Sequence, residues 1–570
     1  MMAVVFLVSC AVFAAAYAFY GRFLERRLNI TRERLTPAHT LQDGVDYVPT
    51  ATPILFGHHF SSIAGAGPIV GPVLAGLAYG WAPAILWIVL GAIFIGGVHD
   101  FTSLVASIRH RGRSVGQMCQ DLLSPLAYYL FLSFIWLTMM YIQIVFIDLT
   151  SSTFAPVGTA ASIATEAADL QTAQGGAVAT ASILYIGLAV LFGLTIYRLK
   201  LPVWLGTCIF VPLVFLALWG GNLFPLSADK IPAVLGSAKN TWNVILIAYC
   251  FCASVLPVWI LLQPRDYLSS FLLYACLGGG AAGLLFCGFT GRVAVEYPAL
   301  VTLNDPQLKF IFPALFVTIA CGAVSGFHSI VASGTTAKQL RSEPSARPVA
   351  YGGMLVEGVL ALIALAGVMM LSARPAGQTP IAVFAEGLGR FLGAFGIPKN
   401  LAITFGLLAV STFLLTTLDT CTRLARFIFE EIFKFYGWKA RILGTAASLL
   451  IPAMVVFRQI PGPGGKLMPA WQAIWPAFGA TNQLMAALAL LVVFTWLLLE
   501  RKTVAWYVLV PLVFMMVTTL TALAQLVLSN LLQHGSKLVG VLSLVLWVLA
   551  VALVVDAVLH LRKRVKSATV

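Results

Sequence analysis

Hydrophobic residues run along this chain in stretches of about 20, long enough to cross a bilayer as helices. Fifteen such runs begin near residues 3, 56, 84, 118, 178, 201, 241, 267, 312, 349, 400, 441, 477, 503 and 538. The segment from Pro380 to Ile397 is shorter, carries Glu386 and Arg390, and is predicted to be an interfacial or re-entrant helix. One run departs from the pattern. Phe56 to Pro72 reads F-G-H-H-F-S-S-I-A-G-A-G-P-I-V-G-P, with two histidines, two serines, four glycines and two prolines. Pro68 lacks an N–H, and Gly65 and Gly67 tolerate dihedrals that other residues resist. In lipid a broken helix persists only where protein or a water-filled cavity satisfies its freed backbone groups. Secondary transporters use such breaks to bind solutes near the membrane midplane.

A second interruption is predicted at Ser254-Val255-Leu256-Pro257, within the run from Thr241 to Gln263, five spans later and oppositely directed. That pairing predicts an all-α polytopic membrane protein with a LeuT-like five-plus-five inverted repeat. Residues 1–55 then form a leading helix and a basic loop, 56–433 a ten-helix transport core, and 434–570 four trailing helices with a basic tail. Phe60-Ser-Ser-Ile63 followed by Gly67 also resembles Phe327-His-Ser-Ile330 followed by Gly334. These two segments lie seven spans apart, so the five-plus-five count treats them as coincidence or as two faces of one site. The helix from Phe312 to Gly334 is then the eighth of the core, packed against the first broken one.

Composition narrows the class. The 570 residues are 60% hydrophobic and 10% charged, with mean hydropathy +0.94, against roughly 25% charged in soluble domains. The net charge of +14 does not indicate nucleic acid, because the charges lie in short loops. Threaded through fifteen spans with the N-terminus outside, 25 of the 35 Lys and Arg residues fall inside, and the Lys/Arg-free loop from Asp148 to Gly176 falls outside. This is the positive-inside distribution, with the C-terminus inside. The first run lacks a basic leader and a small-residue cleavage site, so a retained helix is expected rather than a signal peptide. Nine cysteines sit in or beside spans without zinc spacing, which argues against disulfides and against a metal site. No G-x-x-x-x-G-K-[ST] loop is present, so an ATP-driven pump is disfavoured unless another chain supplies the motor, and no cofactor is expected.

Ionisable groups inside spans are candidate functional groups. His58 and His59 lie in the first broken helix, and His99 and Asp100 deep in the next helix. His328 shares a polar face with Ser325, Ser329 and Ser333, and Glu357 is the carboxylate nearest the midplane. Each is a candidate proton carrier, and for each, bracing between helices is the structural alternative. Asp419 and Arg423, spaced i, i+4, are expected to form a salt bridge at the inner end of their helix. Arg265 and Asp266 are candidates to lock the inner side.

Five stretches together resemble the carbon starvation protein A family: H-H-F-S-S-I-A-G-A-G-P-I-V-G-P at 58–72, G-V-H-D-F at 97–101, L-P-V-W-I-L-L-Q-P-R-D-Y-L at 256–268, T-T-L-D-T-C-T-R-L at 416–424 and F-G-A-T-N-Q-L at 478–484. The resemblance spans about 56 to 500 in order. It implies a transporter of the amino acid–polyamine–organocation type in the bacterial cytoplasmic membrane, and the family includes pyruvate/proton symporters and proteins implicated in peptide uptake. The expected function is proton-coupled uptake of a small carboxylate, pyruvate first, with peptide import as the alternative. The amides and positive dipole end of the helix starting at Gly67-Pro68 are expected to face the solute carboxylate. Gly65, Ala66 and Gly67 form the break, and Ser61, Ser62 and Ser254 would bond the remaining oxygens. Sodium is the alternative coupling ion, held by carbonyls at 64–67 with Ser329 and Ser333. A channel, a membrane-embedded enzyme and a sensor are disfavoured: the sequence carries no continuous polar pore face, catalytic constellation or soluble output domain. Oligomeric state and any small accessory protein stay open.

Overall fold

The computed structural model describes the chain except residues 44–45, 156–164, 258–259, 376–377, 462–466, 533–534 and 570, and side chains except also those of 165–172, 229 and 565–569. Part of the Lys/Arg-free loop and the Lys566 side chain therefore lie outside the described residues. All fifteen hydrophobic runs coincide with helices. After α1 (Met2–Leu28) come α2 (Thr52–Ile63) and α3 (Gly67–Tyr79), bent by 47° across residues 64–66. Next come α4 (Trp81–Arg109), the short α5 (Val115–Leu122), α6 (Pro125–Phe154), α7 (Thr165–Tyr197), α8 (Val203–Leu223), α9 (Ala238–Val255) and α10 (Leu262–Phe289). The second half holds α11 (Ile311–Thr318), α12 (residues 327–339), α13 (Glu343–Met369), α14 (Pro380–Gly393) and α15 (Lys399–Phe433). It continues with α16 (Trp438–Val455), α17 (Ala470–Arg501), α18 (Trp506–Leu531) and α19 (Lys537–Thr569). Among the described residues, eleven helices are long and apolar enough to cross a membrane, and the bent pair makes twelve. α14, at 14 residues, spans only about 21 Å and is too short to cross.

The second broken helix is not where the 254–257 interruption predicts it. α9 ends at Val255 and α10 starts at Leu262, so Ser254–Pro257 is a corner between two helices. The second break lies at 319–326, between α11 and α12, where Gly322 adopts φ +82°. Its C-terminal side carries the Phe327-His-Ser-Ile330 segment whose likeness to Phe60-Ser-Ser-Ile63 the five-span count sets aside. The two breaks abut. A Cβ on Gly67 would lie 2.6 Å from Cys321 Cβ, and one on Gly71 would lie 2.6 Å from Thr318 O. Only glycine lets the backbones approach this closely.

The packing is two-fold in pattern. α9 and α16 both lie against α6 and α15. α10 packs on α2, α13, α14 and α15, and α17 packs on α11, α4, α5 and α6, the corresponding partners in inverted order. α3 rests on α13 as α12 rests on α4. The α7–α8 hairpin falls outside this correspondence, which is why the broken helices are seven spans apart rather than five. α13, α15 and α17 are wrapped by protein, whereas α1 and α8 turn most of their surface outward, as lipid-facing helices do.

Candidate functional site

At the first break, Gly65 N–H bonds Ile63 O, and the Ile69 and Val70 amides return to Ala66 O. Among the described residues, the amides of Ala66 and Gly67 have no backbone partner. They open the N-terminus of α3 toward the crossing, with its partial positive charge. A Cβ on Gly65 would meet Thr417 Oγ1 of α15 at 2.6 Å, so the Thr417 hydroxyl stands over the break. Ser61 and Ser62 donate their hydroxyl protons to His58 O, at 3.1 and 2.8 Å. Their oxygens remain acceptors.

The second break is held from α17. Asn482 Oδ1 accepts the Phe327 amide (3.0 Å), its Nδ2 donates to Ala320 O (3.1 Å), and its backbone carbonyl accepts the Gly326 amide (3.0 Å). Gln483 Nε2 donates to Phe316 O and Ile319 O, at 2.6 and 3.0 Å. Buried backbone groups freed by a break need such partners, and this explains why F-G-A-T-N-Q-L carries two amides in an otherwise apolar helix. The motif is visible in the sequence, but its role requires the pairing of α17 with α11.

A chain of ionisable groups crosses this junction. His99 Nδ1 lies 2.7 Å from Asp100 Oδ1, and Asp100 Oδ2 lies 2.8 Å from His328 Nδ1. His328 Nε2 is 3.3 Å from Glu357 Oε2, out of hydrogen-bonding alignment. All four side chains are fully buried. His99 Nε2 and both Glu357 oxygens have no hydrogen-bond partner among the described residues. Cys321 Sγ joins the group, its donor atom and those of His328 and Glu357 all lying within 4.8 Å of one another, a spacing that one small cation could bridge. Three helices, α4, α12 and α13, thus bring together four of the six residues that the sequence offers as proton carriers. His59 lies beside them: its Nδ1 is 2.8 Å from Thr336 Oγ1 of α12, and its buried Nε2 is unpartnered among the described residues. His58 is half-buried on the next position of α2.

Other candidates sit elsewhere. Ser254 is the penultimate residue of α9, its hydroxyl 3.0 Å from Thr445 Oγ1 on α16 and its carbonyl bonded by Arg426. Its partners place it in the α9–α16 contact, not on the broken helices. Ser329 and Ser333 donate to Gly326 O and Ser329 O, and Ser333 Oγ accepts the Val115 amide. Asp419 pairs with Arg265, not with Arg423. The expected i, i+4 bridge gives way because Arg265, fully buried, also reaches Asp266 at 2.9 Å and Tyr249 Oη at 3.0 Å, while Asp419 accepts from Tyr249 at 2.8 Å. Arg423 instead caps the end of α9, donating to Ala253 O and Leu256 O at 2.6 and 2.8 Å. Tyr249, Thr417, Cys321, Asn482 and Gln483 were not singled out from the sequence. Uncharged at neutral pH, they are marked only by their neighbours.

The family model for carbon starvation protein CstA matches residues 1–378 and 373–522. The chain belongs to this family. Relatives include the peptide transporter CstA of Bacillus subtilis, 33% identical with 97% of this chain and 96% of the relative covered. The peptide transporter CstA of Escherichia coli is 32% identical over 90% of this chain and 79% of its own. The pyruvate/proton symporter BtsT of Escherichia coli is 29% identical over 90% and 80%. A solved manganese transporter of Eremococcus coleocola aligns with 92% of the CstA-family chain at TM-score 0.41 and 13% identity. The chain is thus a multi-pass membrane transporter of the CstA family.

Proposed function

We propose that this protein is a proton-coupled importer of small carboxylate-bearing solutes, working by alternating access around the two abutting breaks. The observation that carries the proposal is the fully buried His99–Asp100–His328–Glu357 chain beside the second break. Two carboxylates flank one shared imidazole in the buried interior. An unbalanced negative charge there costs several kcal/mol, so charge balance asks for one proton beyond the imidazolium–aspartate pair. Opening the junction to water on one side removes that requirement, and the proton leaves on that side. The solute carboxylate would be met by the Ala66 and Gly67 amides at the α3 N-terminus, with Ser61, Ser62 and Thr417 as further partners. Arg265, which reaches Leu415 O and Thr416 O beside Thr417, is already spent on Asp419 and Asp266, which suits a site that must also release its solute.

Pyruvate is the first solute reading, since it needs only a carboxylate site. The second reading is a short peptide, favoured by a cavity of about 480 Å³ bordering both broken helices, larger than a three-carbon acid fills. It agrees with the names of the CstA relatives. Sodium ranks below protons because Ser333 Oγ already accepts the Val115 amide and the buried imidazoles would otherwise have no role. We further propose that the ten-helix core runs from 52 to 501 with α7–α8 inserted, that α18 and α19 trail it, and that the N-terminus lies outside the bacterial cytoplasmic membrane. Counterflow exchange in proteoliposomes, with labelled pyruvate against a dipeptide panel, tests the solute. Exchange of neither would contradict the reading.

A further inference from the structure

A cavity of about 480 Å³ lies at the end of the bundle opposite the arginine-rich loops, above the second break. Leu74 of α3 and Val317 of α11 form part of its wall, so both broken helices border it. Val317 directly precedes Thr318, the last residue of α11, and Trp475 of the cavity wall donates its indole N–H to Thr318 O at 3.3 Å. The cavity therefore borders the last turn before the second break.

Its lining has a definite chemistry. Among the described lining residues no side chain is acidic, and two are cationic. Arg374 is held by Asp305 at 2.8 Å, whereas exposed Lys309 has no acidic partner among the described residues. The side-chain amides of Gln472 and Gln525 border the same space, and Trp471 and Trp475 supply flat apolar faces. A lone ammonium, uncommitted amides and indole faces suit a carboxylate attached to a body with amide and apolar parts. The volume lies within the ~300–1,000 Å³ of pockets that enclose drug-sized ligands, and a three-carbon acid would leave it mostly unfilled.

We propose that this cavity is a solute-capture site that binds the free carboxylate of a short peptide before it enters the crossing. The proposal rests on the transport reading above with a short peptide, its second solute reading, as the cargo. Lys309 forms the charge-assisted contact, the glutamines bond the peptide amides, and the indoles cover its side chains.

The test is peptide binding to the purified full-length protein, followed by tryptophan emission, with tri-alanine, tri-alanine C-terminal amide and pyruvate as probes. Tri-alanine is expected to shift the emission, and the shift to vanish in a Trp471→Phe/Trp475→Phe variant. The C-terminal amide, and tri-alanine with Lys309→Gln, are expected to bind at least ~10-fold more weakly, the scale of one charge-assisted contact. Equal binding of acid and amide, or an unchanged Lys309→Gln variant, overturns the site. Pyruvate binding as tightly as tri-alanine overturns the peptide assignment. Glu357→Gln separates the two proposals: binding retained while proton-driven uptake is lost supports both. Uptake by Glu357→Gln that still follows the pH gradient counts against the proton chain and leaves the cavity standing.

Discussion

Glu357 is the most exacting residue in this protein. Its carboxylate is buried on α13 beside His328 and Cys321. A neutral amide of the same size cannot exchange a proton, so Glu357→Gln is expected to cut proton-driven uptake by at least ~10-fold while counterflow exchange persists. Parallel uptake and counterflow assays check this, and equal loss of both would assign Glu357 to solute binding or folding instead. The Arg265–Asp419 pair plays a different part, since both side chains are fully buried. Breaking such a pair from one side leaves an uncompensated charge and costs about 3–5 kcal/mol. Arg265→Met is expected to lower the unfolding temperature in detergent sharply, and Arg265→Met/Asp419→Leu to recover part of the loss. The sequence offered His99, Asp100, His328 and Glu357 because charged residues in hydrophobic runs stand out. It paired Asp419 with Arg423 because spacing along one helix is all that a single helix displays.

At the scale of elements, the two breaks and their supports decide the geometry. Gly71 sits so close to Thr318 O that an added methyl has no flexible neighbour to displace. Gly71→Ala is expected to cost about 1–3 kcal/mol by overpacking and to slow transport, read by thermal unfolding and by initial uptake rates. Asn482 is the matching support on the other break, where one side chain and one carbonyl satisfy three backbone groups of 320–327. The helices themselves were legible, because runs of about 20 apolar residues announce spans regardless of context. The first break was legible too, from Pro68 and its glycines. The second was not placed, although its Phe327-His-Ser-Ile330 signature had been noticed. Counting five spans presumes an uninterrupted repeat, and the α7–α8 hairpin, apolar like any other span, breaks the count.

For the whole molecule, the matching contacts of α2–α6, α9 and α10 with those of α11–α17 are what the proposed alternating access would use. The positive-inside arrangement predicts that a reporter active only in the cytoplasm works at the C-terminus and fails at the N-terminus. The reverse result would invert the membrane orientation while leaving the fold untouched. The account's central claim is that a proton, carried by the buried chain beside the second break, drives the solute. Its most direct test is uptake into proteoliposomes driven separately by a pH gradient and by a sodium gradient, for the wild type and Glu357→Gln. The account predicts wild-type accumulation with an inward proton gradient alone, none with sodium alone, and none from either gradient in Glu357→Gln. Wild-type accumulation that follows sodium and ignores the pH gradient would contradict it.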